Sequence, residues 1–217
     1  MNAVGDKFAT RAGLVGVSPH GVGAALVLGA LLLLYPLNMT PEIGDSFKYL
    51  LLPLLVLGGA VSAQWLGLRL YARSWRENVG VPLAASFVVG AAIMRFDATS
   101  LAATDFSSLL YYAPKAAAEE LIYRLGATSC IALILSVATR QRASRAVYVL
   151  IAAIVAQSLN IVLNVHLAHQ HLGYAAVRYL LPGVVWGWLY LRYGFLASVV
   201  GHVGTHLWLI PVLTYVR

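Results

Sequence analysis

The chain has 217 residues, of which 60% are hydrophobic and 11% charged, against roughly 25% charged in an ordinary soluble domain, which excludes a water-soluble globular protein and makes lipid its natural solvent. Its 15 Lys and Arg against 8 Asp and Glu give a formal net charge of +7. The basic residues fall mainly in short connections between apolar runs, where membrane proteins concentrate them on the cytoplasmic side, so the charge reports orientation and excludes nucleic acid as a partner.

Along the chain, Lys7 and Arg11 precede the apolar run 22–37, a pattern that imitates a secretory signal. No small-x-small cleavage site follows, because the next residues are Asn38, Met39, Thr40 and Pro41. The run is therefore expected to be a first span or a signal anchor. A span needs about 20 mostly apolar residues. Further runs come near that length at 49–68, 79–94, 109–138, 146–168, 175–191 and 195–215, the fourth being too long for one simple span. The stretch 101–113 is expected to form an eighth, short or re-entrant element, with Pro114 ending it or kinking its junction to the next helix. Backbone groups in lipid have no water to bond, and the runs lack the period-2 alternation of a barrel, so all of them should be helical. Connection 69–78 holds Arg69, Arg73 and Arg76, and connection 139–145 holds Arg140, Arg142 and Arg145. Both are expected on the cytoplasmic side, with the N-terminus, while 38–48 and 95–105 carry mixed or acidic charge. No internal repeat, low-complexity tract or soluble domain interrupts the pattern. The expected fold is all-α, one polytopic transmembrane bundle of about seven to eight spans over residues 1–217.

Six of the acidic residues, Asp6, Glu42, Asp45, Glu77, Asp97 and Asp105, lie in connections or the N-terminal arm, and only Glu119 and Glu120 fall inside an apolar helix. A charged side chain at the bilayer centre costs about 2.5–3.5 kcal/mol on insertion scales, so such residues are kept for a partner and a function. Successive helical residues project about 100° apart, so the two glutamates are expected to divide the labour. Arg124 is four residues beyond Glu120, the spacing of an ion pair on a helix surface, which leaves Glu119 to face a cavity. The bland alternative places both glutamates at the helix mouth near Lys115, in interfacial water. His166 ends the fifth run, with His169 and His171 close behind, in the manner of interfacial histidines. His202 and His206 are one turn apart on the last run and share a face, which implies either a polar cavity or a helix–helix hydrogen bond.

A carboxylate, an imidazole and a neighbouring donor can take a proton from water and hold the charge that develops on a scissile carbonyl, so the set points to peptide hydrolysis. Burial raises a carboxyl pKa and an adjacent cation lowers it, which suits a fixed Glu120 beside a tunable base at Glu119. Gly-x-Ser-x-Gly is absent, Ser158 and Ser198 have no catalytic context, and Cys130 is read as packing. Glu119, His166 and His202 also suit three ligands of a catalytic zinc. Since H-E-x-x-H is missing, the metal-free glutamate mechanism, with no cofactor, is favoured.

The segment Glu119-Glu120-Leu121-Ile122-Tyr123-Arg124 resembles the E-E-x-x-x-R motif of the CAAX-protease and bacteriocin-processing (CPBP, or Abi) intramembrane proteases, and Arg178 to Gly187 resembles that family's Arg-x-x-x-Pro-Gly-x-x-x-Gly lead into its last motif. The resemblance covers about half the chain, from Ala113 to the end, with a catalytic core at about 113–215. The family's F-x-x-x-H falls on 162–166, with valine at position 162, His169 being the alternative histidine; its H-x-x-x-N falls on 202–206, with His206 in place of asparagine. The resemblance implies that Glu119 activates water with His166, that His202 and His206 support the nucleophile or oxyanion, and that Glu120 with Arg124 braces the site. It further implies a bundle enclosing a polar catalytic cavity and a membrane-anchored protein or peptide substrate, including C-terminal sorting tails, in what is expected to be a bacterial inner membrane. The Arg-rich connection after Leu135 sets Glu119 toward the non-cytoplasmic half. The alternatives are a non-catalytic immunity or scaffold protein of the same fold, favoured by Val162 and His206, and a proton-coupled carrier using the buried Glu and His as relays.

Overall fold

The structure is a computed structural model that describes residues 45–96, 107–164 and 172–215. The expected first span at 22–37, the stretch 101–106, and His166, His169 and His171 lie outside the described residues. The described residues form six helical elements and no strand: α1 (Asp45–Trp65), α2 (76–96), α3 (107–138), α4 (Arg145–Asn164), α5 (172–193) and α6 (Phe195–Tyr215). Each follows an apolar run of the sequence to within a few residues, because in lipid the helix is the one local fold that satisfies its own backbone. Three stretches, Arg76–Arg95, Tyr112–Ala138 and Arg145–Val162, are long and apolar enough to cross a membrane, and a shorter apolar helix covers Leu51–Trp65. Leu54, Phe87, Val88 and Ile134 are exposed on α1, α2 and α3, as side chains facing lipid would be.

The expected separate element at 101–113 is corrected over its described part. Residues 107–113 belong to the same helix as Glu119, and Pro114 lies inside that helix instead of ending it. Proline removes one N–H and crowds one carbonyl, and inside a bundle neighbouring groups re-satisfy the freed backbone.

Helix α3 runs through the middle, packed by α1 and α4 along its second half and by α6 along its first; α6 also lies against α2 and α5. Between Leu121 and Thr128, α3 widens into a π-helical stretch. Two hydroxyls bond into it: Thr128 Oγ1 donates to Tyr123 O at 2.6 Å and Ser129 Oγ to Arg124 O at 3.3 Å, each five residues back. Ser129 Oγ also bonds Tyr190 of α5 at 2.8 Å. A wide turn of this kind re-aims the side chains around it, and Glu120 and Arg124 flank its start. Helix α1 closes on the widened turn at Gly59, where a Cβ would lie 2.0 Å from Leu125 O; such close backbone approach is how helices associate in lipid, where no hydrophobic effect drives them together.

The arginine-bearing connections meet at one end. Arg145 Nη1 donates to Leu66 O and Gly67 O at 3.2 and 3.0 Å, while Phe195 N and Leu196 N, at the start of α6, donate to Arg69 O and Leu70 O at 3.0 and 2.8 Å. The two connections expected to share a side of the membrane therefore do share an end of the bundle. From that end Glu120 lies about five turns along α3 and His202 about two turns along α6.

Candidate functional site

Two adjoining cavities open between α3, α5 and α6. The smaller, about 60 Å³, is walled by Glu119, Glu120, Tyr123, Arg124, Gln157, Asn160 and His202 with the start of α5. The larger, about 230 Å³, takes in Tyr112, Lys115, Thr205 and His206. Glu119, Arg178, Tyr179, Pro182, Trp186 and His202 line both.

The two glutamates divide as their helical positions require. Glu120 is 1% exposed and is met by three partners: Arg124 Nε at 3.5 Å, His202 Nδ1 at 2.9 Å and the hydroxyl of Ser198, which donates to Oε2. Arg124, 2% exposed, donates from Nη2 to Gln157 Oε1 of α4 at 2.9 Å. The expected Glu120–Arg124 pair is thus present and extends into a buried network that ties α3, α4 and α6 together. In a low-dielectric interior a carboxylate held by a cation and two further donors persists, whereas an unpaired one would be expelled or neutralised. Glu119 is 30% exposed, and among the described residues its ionic partner is His202, with Nε2 at 4.0 Å, too far for a hydrogen bond.

His202, 17% exposed, therefore bridges the pair through its two nitrogens. A carboxylate paired with arginine accepts, so Nδ1 carries the proton that Glu120 receives, and Nε2 is turned to Glu119 and the cavity. A buried carboxylate in this position fixes the tautomer and orientation of the imidazole. Ring stacking reinforces it: Trp186, His202, His206 and Tyr112 form a continuous pile with centroid separations of 6.2, 5.4 and 5.5 Å. Each contact of this type is worth about 0.5–1.5 kcal/mol beyond area burial.

Of the two cavities His206 lines the larger, and it lies between His202 and Tyr112, one turn beyond His202 on α6. His166 and the alternative His169, and with them the second histidine of the expected set and the third ligand of the zinc alternative, lie outside the described residues. Among the described residues no group of three or more His, Cys, Asp and Glu side chains is arranged to hold a metal ion.

Ser198 corrects the sequence reading, which found no context for it: it is fully buried and bonded to Glu120. The signal was available, because Ser198 is one turn before His202 and so shares its face. Gln157, Arg178, Trp186 and Tyr112 were also missed as site residues. Gln157 is pinned by α5 at Gly183, where a Cβ would lie 2.2 Å from its Cγ, so only glycine admits the amide that holds Arg124.

Compared with known protein families, curated proteins and solved structures, the chain matches none.

Proposed function

We propose that the chain is a glutamic-type intramembrane endopeptidase of the CAAX-protease and bacteriocin-processing kind, a multi-pass protein of the bacterial inner membrane with seven to eight spans, acting on a membrane-anchored protein or peptide such as a C-terminal sorting tail. The observation that carries this reading is the unequal treatment of two neighbouring acids. Glu120 is consumed by a buried network, whereas Glu119 stands at a cavity wall facing an imidazole nitrogen 4.0 Å away. A carboxylate given no hydrogen bond by the described residues, beside a neighbour that has three partners, is available to a water molecule and a substrate carbonyl.

The chemistry follows from the geometry. Glu119 takes a proton from water as the water oxygen bonds to the scissile carbonyl carbon, and returns it to the leaving nitrogen as the C–N bond breaks. His202, held at Nδ1 by Glu120, offers Nε2 to the same space; unprotonated it accepts from the water, and protonated it donates to the developing oxyanion. The resemblance has His202 and His206 support the nucleophile or the oxyanion, and for His202 the bond from Nδ1 to Glu120 limits the oxyanion role to the state in which both nitrogens carry protons. His206 supports His202 through stacking and reaches substrate only from the larger cavity.

The test is the fate of membrane-anchored tail peptides incubated with the purified protein in micelles, in water enriched in ¹⁸O, followed by mass spectrometry. Cleavage at one bond, with ¹⁸O entering the new C-terminal carboxylate, is expected. Intact peptides across the set, with undiminished biological activity of a Glu119→Gln protein in cells, would instead identify a non-catalytic factor.

A further inference from the structure

The larger cavity is not used up by the hydrolytic step, and its polar lining is unbalanced. Lys115 and Arg178 contribute two cations, against the single carboxylate of Glu119. The ion pairs formed among the described residues join Arg124 and His202 to the glutamates and leave Lys115 and Arg178 out. Donors are also in surplus: Arg178 Nη1, Arg124 Nη1, Trp186 Nε1 and Arg124 Nε, the last in ion-pair contact with Glu120 at 3.5 Å, are buried without a hydrogen-bond partner among the described residues. Arg124 and Trp186 are 2% and 1% exposed, and all three side chains line the cavities. Buried polar groups are nearly always satisfied, so the donor left open on Arg178, in the wall of the larger cavity beside Lys115, suits an acceptor that arrives from outside.

We propose that the Lys115–Arg178 cavity is a subsite for a carboxylate carried by the substrate close to its scissile bond, as an acidic side chain or a free C-terminus. This inference rests on the endopeptidase reading. Size agrees with it, because about 230 Å³ falls below the roughly 300–1,000 Å³ of a pocket that engulfs a drug-sized ligand and suits one residue of a peptide. Chemistry agrees as well: the planar guanidinium of Arg178 presents paired donors that match a carboxylate, Lys115 adds a point charge, and Ile93, Ala116 and Pro182 exclude water from the rest of the wall. Glu119 lines the same cavity, so a carboxylate seated between Lys115 and Arg178 brings the neighbouring peptide bond to the catalytic acid and shields the two anions from each other.

The experiment measures binding apart from cleavage. Fluorescent peptides of sequence Ala-Leu-Ala-Asp and Ala-Leu-Ala-Asn, each as the C-terminal acid and the C-terminal amide, are titrated by anisotropy into full-length Glu119→Gln protein in neutral detergent. At least one carboxylate-bearing arm should bind about ten- to hundred-fold tighter than the neutral Asn amide, and the arm that does so identifies the source of the carboxylate. That preference should fall to about two-fold in Arg178→Gln and Lys115→Gln and survive in Arg178→Lys, with thermal unfolding confirming that all variants fold. Equal affinities across the four peptides, or a preference that persists in the Arg178→Gln/Lys115→Gln double variant, would overturn the subsite. Loss of peptide binding in micelles doped with phosphatidylglycerol but not phosphatidylcholine would overturn it too, and assign the cations to a lipid headgroup. Cleavage by the wild-type protein is read separately. Carboxylate-selective binding without cleavage leaves the subsite standing and removes the protease, while cleavage without selectivity does the reverse.

Discussion

Replacing Glu120 with alanine should destabilise the protein far more than the same change at Glu119, although the residues are adjacent. Without Glu120, the Arg124 guanidinium at 2% exposure keeps one bond to Gln157 and no counter-charge, and Ser198 and His202 lose their acceptor. Breaking one side of a buried ion pair costs about 3–5 kcal/mol, and an orphaned buried donor about 1–3 kcal/mol. These share one carboxylate and do not add, so the expected total is about 4 kcal/mol, or a fall in Tm of roughly 8–16 °C for a chain of this size. Glu119 is 30% exposed and 4.0 Å from His202 Nε2, so its alanine variant should stay within about 0.5 kcal/mol of the parent. Thermal unfolding in micelles, followed by tryptophan fluorescence, gives both values. A double variant, Glu120→Gln with Arg124→Met, should recover part of the loss by removing the stranded cation. Equal Tm shifts for the two single alanine variants would refute the division of labour between the glutamates.

Ser198→Ala removes one donor to Glu120 and should cost about 1.5–3 kcal/mol by thermal unfolding while slowing substrate processing through a looser Glu120–His202 pair. Gly183→Val forces a Cβ to within 2.2 Å of Gln157 and should destabilise by about 1–3 kcal/mol and reduce processing, both measured on the purified variant. His206→Phe keeps the stack between His202 and Tyr112 but loses the ring nitrogens, so it should fold normally; a processing rate equal to that of the parent would remove His206 from the chemistry. Pre-incubation with a strong zinc chelator should leave the processing rate unchanged, and a rate that collapses and returns with added zinc would replace the glutamate mechanism with a metal one.

Much of the fold was legible because lipid makes helix length and apolarity decisive. The runs 49–68, 79–94 and 195–215 became Asp45–Trp65, 76–96 and Phe195–Tyr215. The Glu120–Arg124 pair was legible because four-residue spacing is local. What was hidden is non-local or geometric. The contact of His202 with Glu120 joins residues 82 apart in sequence, and the contact of Ser198 with Glu120 joins residues 78 apart. The π-helical stretch is accompanied by hydroxyl bonds from Thr128 and Ser129, residues that serve equally well in a regular helix. Arg178 carried only a motif position in the sequence; that it lines both cavities with an unpartnered nitrogen required the packing of α5 against α3 and α6. Pro114 was read as ending one element or kinking its junction to the next because proline disrupts helices; the helix runs through it, which removes the first alternative.

The central proposition is that Glu119 is the acid that turns water against a peptide carbonyl. Single-turnover cleavage of a membrane-anchored tail peptide by purified protein, compared between the parent and Glu119→Gln, addresses it most directly. The glutamine variant should fold, bind the peptide and cleave it at least about a hundred-fold more slowly, within the range expected for loss of a general base. Cleavage by Glu119→Gln at the parent rate would contradict it.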